Sequence, residues 1–172
     1  TTFVDTTQLD AVRKAITPKT KAIIVETPSN PTLQITELAG IAEIAHANKL
    51  YAITDNTFMS PFLQKPIELG FDIVVHSATK YIGGHSDIVA GLAVTKDDKL
   101  GEKLRNVQIA FGAILGPQDS WLAFRGIRTL GVRMAAQQEN AEKIAEWVLT
   151  NMMAGDKIAK RLAGSEDTDL EN

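Results

Sequence analysis

Short runs of apolar residues recur along the first part of the chain and predict a set of strands, of which the first and the third are expected to be buried. Four such runs occupy residues 21–26, 50–54, 73–75 and 88–95. Their length suits strands, because strands usually span four to eight residues. The first run ends at a loop that contains two prolines, and turn-forming residues bound the last one. The pattern therefore predicts four separate strands.

Apolar residues at helical spacing separate these runs and then dominate the rest of the chain. This periodicity predicts helices over about 9–16, 37–45, 97–107 and 119–150. Pro18 follows the first of them, and proline ends a helix because it cannot donate the next hydrogen bond. In the last and longest helix, Trp121, Leu122 and Ile127 are among the expected buried positions.

The order of the predicted elements is typical of an α/β protein. Strand, helix and further strands, followed by helices, favour a mostly parallel sheet with flanking helices. Along the chain we predict an α/β domain over 1–117, a long linking helix over 118–150 and a C-terminal segment over 151–172. A nucleotide-binding α/β domain is disfavoured, since no glycine-rich turn follows the first strand.

Polar residues follow three of the predicted strands. Asn30 follows the first strand, Asp55 the second, and Ser77, Thr79 and Lys80 the third. Ligands of open α/β sheets bind just outside the carboxyl ends of the strands. If the three strands are neighbours, these residues converge on one edge of the sheet and form a site there.

The lysine in this set suits covalent chemistry. The amine of Lys80 can form a Schiff base with an aldehyde and so hold an electron-withdrawing cofactor. The hydroxyls of Ser77 and Thr79 can donate to phosphate oxygens, and Gly83-Gly84 allows close backbone approach. The alternative for a single lysine is an ordinary solvated side chain after a strand.

Composition narrows the class of protein. The chain has 172 residues, of which 44% are hydrophobic and 23% charged, as expected for a globular protein with one sizeable core. A net charge of −3 gives no reason to expect nucleic acid or an anionic membrane surface as a partner. No run of about 18 uncharged apolar residues occurs, so no membrane span is expected.

The absence of cysteine excludes further chemistry. A chain without cysteine forms no disulfide, no thiolate metal site and no cysteine nucleophile, and it fits a cytoplasmic protein. His76 and His85 flank the lysine without a carboxylate-rich set of partners, so we predict no metal site.

The fifteen residues from Asp72 to Ser86 resemble a known cofactor-attachment signature. It belongs to the trans-sulfuration enzymes, the Cys/Met-metabolism family that uses pyridoxal 5'-phosphate. The segments in register are Asp72, Ser77, Thr79-Lys80-Tyr81-Ile82 and Gly84-His85-Ser86. The resemblance implies that the chain is part of the large domain of a fold type I pyridoxal-phosphate enzyme, and that Lys80 is its Schiff-base lysine.

Two further segments resemble the same family. Asp55-Asn56-Thr57-Phe58 is similar to its Asp-Asn-Thr-aromatic segment, which implies that Asp55 keeps the cofactor's ring nitrogen protonated. Residues 26–32 are similar to its Glu-x-Pro-x-Asn-Pro segment, which implies that Asn30 hydrogen-bonds the phenolic oxygen of the cofactor. By the same resemblance, Ser77 and Thr79 are hydroxyls on the phosphate side. The alternatives are a capping aspartate and a turn asparagine.

The resemblance runs from Thr1 to about Thr150. It implies that 1–117 is part of the large cofactor-binding domain and that 151–172 is a remnant of the C-terminal domain or a tail. Arg161 lies in a segment similar to a late family motif and is a candidate for the arginine that binds the substrate carboxylate. The family's earlier glycine-rich segment has no counterpart here, so we expect a fragment of a longer enzyme or a chain with omitted segments.

The function implied by the resemblance is a carbon–sulfur lyase. Its substrate would be cystathionine or a related sulfur amino acid, and Lys80, desolvated by burial, would also act as general base. The alternatives are a replacement reaction of the cystathionine γ-synthase type, or a truncated fragment that keeps the fold without catalysis. The family usually forms homotetramers, which predicts an apolar surface on this chain.

Overall fold

The four predicted strands form one sheet. In the computed structural model, which describes residues 1–165 and side chains through residue 152, they are β1 Ala22–Glu26, β2 Tyr51–Asp55, β3 Ile73–Ser77 and β4 Gly91–Val94. Their order in the sheet is β1-β2-β3-β4. The first three are parallel and β4 is antiparallel to β3. The predicted α/β fold with a mostly parallel sheet and flanking helices is confirmed.

Helices connect the strands and then follow the sheet. The described residues form α1 Leu9–Ala15, α2 Leu38–Ala47, α3 Ser60–Leu63, α4 Asp98–Phe111, α5 Pro117–Ile127 and α6 Leu130–Ser165. The short helix α3 was not predicted, because four residues are too few to show a helical period. Each of these helices is too short or too polar to cross a membrane.

One face of the sheet packs against α2 and forms the core. Val25, Ala52 and Val74 point to this face and are buried, and so are Ile41 and Ala45 of the helix. The three strand residues lie on one face because side chains alternate along a strand. The apolar stripe of α2 therefore covers the centre of the sheet and fixes the strands that lead to the candidate site.

The opposite face of the sheet carries part of the candidate site. The parallel register pairs Ile24 with Ile53 and Glu26 with Asp55, so these side chains share one face. Ile24 is 67% exposed, whereas Asp55 is half-buried. Asp55 thus lies on the face that α2 leaves open, next to solvent-accessible apolar surface.

The helix predicted over 118–150 is wrong as a single element. Helix α5 ends at Ile127 and α6 begins at Leu130. Between them the amide and the hydroxyl of Thr129 both donate to the carbonyl of Gly126, each at 3.2 Å, and close a tight turn. The sequence pattern did not reveal this turn because apolar residues continue through it. Helix α6 also continues to Ser165, past the predicted end at 150.

The expected burial of α5 is only partly correct. Trp121 and Ile127 are exposed, Leu122 and Ala123 are half-buried, and the buried residue of the helix is Gly126. The inward stripe therefore combines Leu122 with the small residues Ala123 and Gly126, and small residues let a helix approach its neighbour closely. The large apolar side chains of Trp121, Phe124 and Ile127 lie outside that stripe and are exposed.

The described chain divides into two compact units. The first spans Thr1–Leu130 and contains the sheet and the candidate site, and the second begins at Gly131 within α6. The predicted domain boundaries at 117 and 150 stay predictions. The side chain of Arg161, the proposed remnant of a carboxylate-binding arginine, lies outside the described residues.

Candidate cofactor site

The loops after β2 and β3 are joined at the carboxyl edge of the sheet. The amide of Asn56 donates to the carbonyl of Val75 at 2.9 Å. The amide of Ser77 donates to the hydroxyl oxygen of Thr57 at 2.7 Å. The first bond extends the pairing of β2 with β3 by one residue. In the second, the amide of Ser77 is bound by a side-chain oxygen in place of a backbone carbonyl. The structure therefore brings Asp55 and Ser77 to one edge, as predicted for neighbouring strands.

Asp55 is oriented by the residue two places further along. Its Oδ1 atom accepts a hydrogen bond from the amide of Thr57 at 2.9 Å. Thr57 is buried and also holds Ser77, so this one residue connects the carboxylate to the end of β3 through its backbone amide and its hydroxyl. The role of Thr57 was not predicted. Its only sequence signal is its position within the Asp-Asn-Thr-Phe segment.

Asn56 anchors the long loop between β2 and β3. Its side-chain amide donates to the carbonyls of Ser60 and Gln64, at 3.1 and 2.9 Å. Its side-chain oxygen accepts from the side-chain Nε2 of Gln64 at 2.8 Å. Asn56 is fully buried, so these bonds satisfy a polar group that would otherwise be costly to bury. This anchoring keeps the loop beside Asp55 in one conformation.

Lys80 lies in a tight turn directly after β3. Its amide donates to the carbonyl of Ser77 at 3.1 Å, and its carbonyl accepts from the amide of Gly84 at 2.7 Å. Gly84 has a φ of +74°, a conformation that favours glycine. Lys80 is exposed, so the described residues do not bury it as expected. Lys80 thus lies directly after the third strand, as predicted, but it is not desolvated.

The two hydroxyls beside Lys80 differ in their engagement. The Thr79 hydroxyl accepts from the amide of Ala90 at 2.9 Å and donates to the carbonyl of the same residue at 3.3 Å. This double contact connects the residue just before Lys80 to the segment that enters β4. Ser77 uses its backbone in the contacts described above and is half-buried. Ser77 is thus better suited than Thr79 to donate to an added anion.

Asn30 lies at the same edge, after β1. Its amide donates to the carboxylate of Glu26 at 3.3 Å, and the residue itself is exposed. The loop around it is closed by the hydroxyl of Thr27, which accepts from the amide of Thr36 at 2.9 Å. Because β1 pairs with β2 through Glu26 and Asp55, the loop of Asn30 begins next to Asp55.

A cavity of about 810 Å³ opens between β4, α4 and the ends of β2 and β3. Its lining includes Asp55 and Ser77 from the candidate site and Leu104, Arg105 and Gln108 from α4. Small-molecule sites usually occupy about 300–1,000 Å³ and combine apolar walls with a few polar groups. Lys80, Thr79 and Asn30 are not among its lining residues, although Lys80 follows Ser77 by three positions. A carboxylate, a hydroxyl and an exposed lysine amine suit a ligand with a cationic ring nitrogen, a phosphate and an aldehyde. The residues present therefore fit pyridoxal phosphate.

His76 is a buried titratable residue beside the site. It is 6% exposed, and its Nδ1 atom has no hydrogen-bond partner in the described structure. Burial lowers the pKa of His76 below its ordinary value of 6.5, and the nearby Asp55 carboxylate and the backbone of Asn56 offset part of that effect. The imidazole is therefore neutral at neutral pH. Within the described residues, no cluster of histidines and carboxylates could hold a metal ion.

This burial predicts a pH dependence of stability. The unfolded chain takes up a proton on His76 as the pH falls through about 6.5, while the folded chain resists it until lower pH. The free energy of unfolding therefore decreases as the pH falls below about 6.5. Urea unfolding at several pH values should show a shallower decrease for His76→Phe than for the wild type. Equal pH slopes for the two proteins would contradict this assignment.

The fold and the site together define a class of protein. A mostly parallel sheet presents a lysine, a carboxylate and hydroxyls at its carboxyl edge, as α/β enzymes with a bound organic cofactor do. A sequence profile described as "Cys/Met metabolism PLP-dependent enzyme" matches residues 1–160. The chain belongs to this family of pyridoxal-phosphate-dependent enzymes.

Individual relatives agree with the family profile. The chain is 57% identical over 147 residues to cystathionine γ-lyase of Bacillus subtilis, and 51% identical over 146 residues to cystathionine β-lyase MetC of the same organism. These alignments cover 86% and 85% of this chain but 39% and 37% of the relatives. The chain thus spans less than half the length of the curated relatives it matches.

A solved structure supports the same fold. The chain matches the crystal structure of cystathionine γ-lyase from Lactobacillus plantarum complexed with L-serine, with a TM-score of 0.84 and 57% sequence identity. The match covers 85% of this chain and 38% of that one. The fold is accordingly that of part of the large domain of fold type I pyridoxal-phosphate enzymes, as the resemblance implied.

Proposed function

We propose that the protein is a pyridoxal-phosphate-dependent carbon–sulfur lyase that acts on cystathionine or a related sulfur amino acid. The observation that carries the proposal is the position of Lys80 directly after β3, at the sheet edge that also holds Asp55. Membership of the family and the names of its relatives support the choice of reaction. Because the chain spans less than half of these relatives, its activity, substrate and partners are proposals that the experiments below test.

The residues divide the work by their chemistry. When bound, pyridoxal phosphate would supply an aldehyde that a lysine amine can hold and a ring that withdraws electrons from the substrate. Lys80 would hold the cofactor through its amine and, once the substrate amine had displaced it, would accept a proton there as general base. The carboxylate of Asp55 would favour the protonated form of the ring nitrogen.

Three other residues orient the cofactor in this proposal. Ser77 donates its hydroxyl to the phosphate, and Thr79 contributes from the other side of the turn. Thr79 can accept a hydrogen bond while it keeps its contacts with Ala90, but donating its proton requires it to release the Ala90 carbonyl. Asn30 donates its side-chain amide to the phenolic oxygen.

We further propose that the protein forms a homo-oligomer, a tetramer, and that it is cytoplasmic. Helices α4 and α5 expose large apolar side chains, which supports a surface that another chain covers. These side chains are Val107, Ile109, Phe111, Trp121, Phe124 and Ile127, and Ile114 in the loop between the two helices is exposed as well. The absence of cysteine from the sequence is consistent with a reducing compartment.

Product analysis tests the proposed reaction. The protein is incubated with pyridoxal phosphate and cystathionine, and the thiol and the keto acid are identified by mass spectrometry. β-Elimination releases homocysteine and pyruvate, whereas γ-elimination releases cysteine and 2-oxobutyrate, with ammonia in both cases. Either pair supports the lyase. Formation of cystathionine from cysteine and an O-acylated homoserine, without elimination, would support the replacement reaction, and no conversion would support a non-catalytic fragment.

A further inference from the structure

Helix α5 touches the lysine turn through a glycine. We define the lysine turn as residues 80–84. Gly126 of α5 is buried, and a methyl group built on its Cα would lie 2.5 Å from the carbonyl oxygen of Ile82 and closer still to that of Gly83. Carbon atoms do not approach backbone oxygens this closely in real proteins. Only a hydrogen atom fits between the helix and the turn.

The lysine turn is compact, so a shift at its end reaches Lys80. The amide of Gly83 donates to the carbonyl of Ala78, and the amide of Gly84 donates to that of Lys80, both at 2.7 Å. Ile82 is 3% exposed and anchors the middle of the turn. These hydrogen bonds close the turn around Lys80. A displacement of Gly83 would therefore also move the backbone of Lys80.

The turn is also held from a second direction. A methyl group on Gly83 would lie 2.9 Å from the Cδ1 atom of Ile88 and 2.7 Å from the carbonyl of Ala78. Ile88 is buried, so it cannot swing into solvent to make room. The turn therefore has little freedom to retreat from a larger residue at position 126, because interiors are close-packed.

From this contact we propose that Gly126 is a positioning residue for Lys80, with the end of α5 setting the place of the lysine turn by direct backbone contact. The inference rests on the proposed function, in which Lys80 is the attachment point of the cofactor. Neither Gly126 nor α5 supplies a group to the cofactor. Their contribution is to hold the amine of Lys80 in the position from which it attaches the cofactor rapidly.

Gly126→Ala tests this role, with Gly116→Ala as its matched control. Gly116 lies at the other end of the same helix and outside the cavity lining, and a methyl group there would lie 3.6 Å from the Asp119 Oδ2 atom, an ordinary contact. Each protein is mixed with pyridoxal phosphate, reduced with borohydride at intervals and digested, and the adduct on Lys80 is quantified per folded molecule. A misplaced reacting group slows reaction by up to about 100-fold, so we expect a decrease between about 10-fold and about 100-fold for Gly126→Ala. Gly116→Ala should match the wild type.

The outcomes separate this inference from the proposed function. If the wild type forms no adduct, the proposed function is wrong. If the wild type forms one and Gly126→Ala forms it at the same rate per folded molecule, the positioning role is wrong. A purely structural glycine would lower the melting temperature and leave that rate unchanged.

A measurement on the wild type covers the case in which Gly126→Ala does not fold. Hydrogen exchange is followed by mass spectrometry before and after borohydride fixes the cofactor on the protein. Fixing the lysine turn should slow exchange of the α5 amides near Gly126, while the amides of Leu9–Ala15 in α1 exchange as before. Unchanged exchange near Gly126 would overturn the proposal.

Discussion

Lys80→Ala is expected to abolish turnover of cystathionine and to leave the protein folded. Alanine has no amine, so this variant can neither attach the cofactor nor accept the substrate proton. Lys80 is exposed and makes its described contacts through its backbone, so the substitution removes little packing. Thiol release in the presence of excess pyridoxal phosphate should fall to the rate without enzyme, and thermal unfolding should match that of the wild type.

The control for Lys80→Ala is a second exposed lysine after a strand. Lys96 follows β4 in the way that Lys80 follows β3, and it is also exposed. Lys96→Ala should release thiol at the wild-type rate. The assignment of Lys80 fails if Lys80→Ala retains measurable turnover, or if Lys96→Ala loses it as completely.

Asp55→Asn is expected to have the second-largest effect on turnover. An adjacent carboxylate raises the pKa of a cationic partner by about 1–3 units, so its loss should lower turnover by about 10- to 1,000-fold. Asparagine has nearly the same shape, and its side-chain oxygen can still accept from the amide of Thr57. Steady-state kinetics at pH 7 would measure the decrease, and the yield of adduct on Lys80 after reduction should change much less.

The matched control removes an exposed carboxylate that does not line the cavity. Asp87 is exposed and follows the lysine turn in sequence. Asp87→Asn should leave turnover unchanged because its charge is screened by solvent. Equal turnover of Asp55→Asn and the wild type would show that the carboxylate of Asp55 does not act on the cofactor.

The sheet and the position of the lysine could be predicted from the sequence for simple reasons. Apolar runs mark the strands, and the core residues Val25, Ala52 and Val74 confirm that signal for β1, β2 and β3, whereas all four residues of β4 are exposed. The convergence of Asp55 and Ser77 follows from parallel pairing of neighbouring strands. The family resemblance added the chemistry, and the family profile confirms it.

The contacts that support the site could not be predicted, because they depend on tertiary geometry. Nothing local indicates that Thr57 accepts from the amide of Ser77, or that Thr79 is held by Ala90. The exposure of Lys80 depends on what covers the open sheet face, and hydrophobic periodicity does not report that. The close approach at Gly126 has the same origin, since a glycine inside a helical pattern normally counts only as a weak helix former.

The measurement that tests the central claim most directly is made on the wild-type protein. Pyridoxal phosphate is added, the absorption spectrum is recorded before and after borohydride reduction, and the digested protein is mapped by mass spectrometry. We predict a visible absorption band that disappears on reduction and a cofactor mass on the peptide that contains Lys80. A protein that acquires no band, or that carries the cofactor only on other lysines, would contradict the assignment of this site.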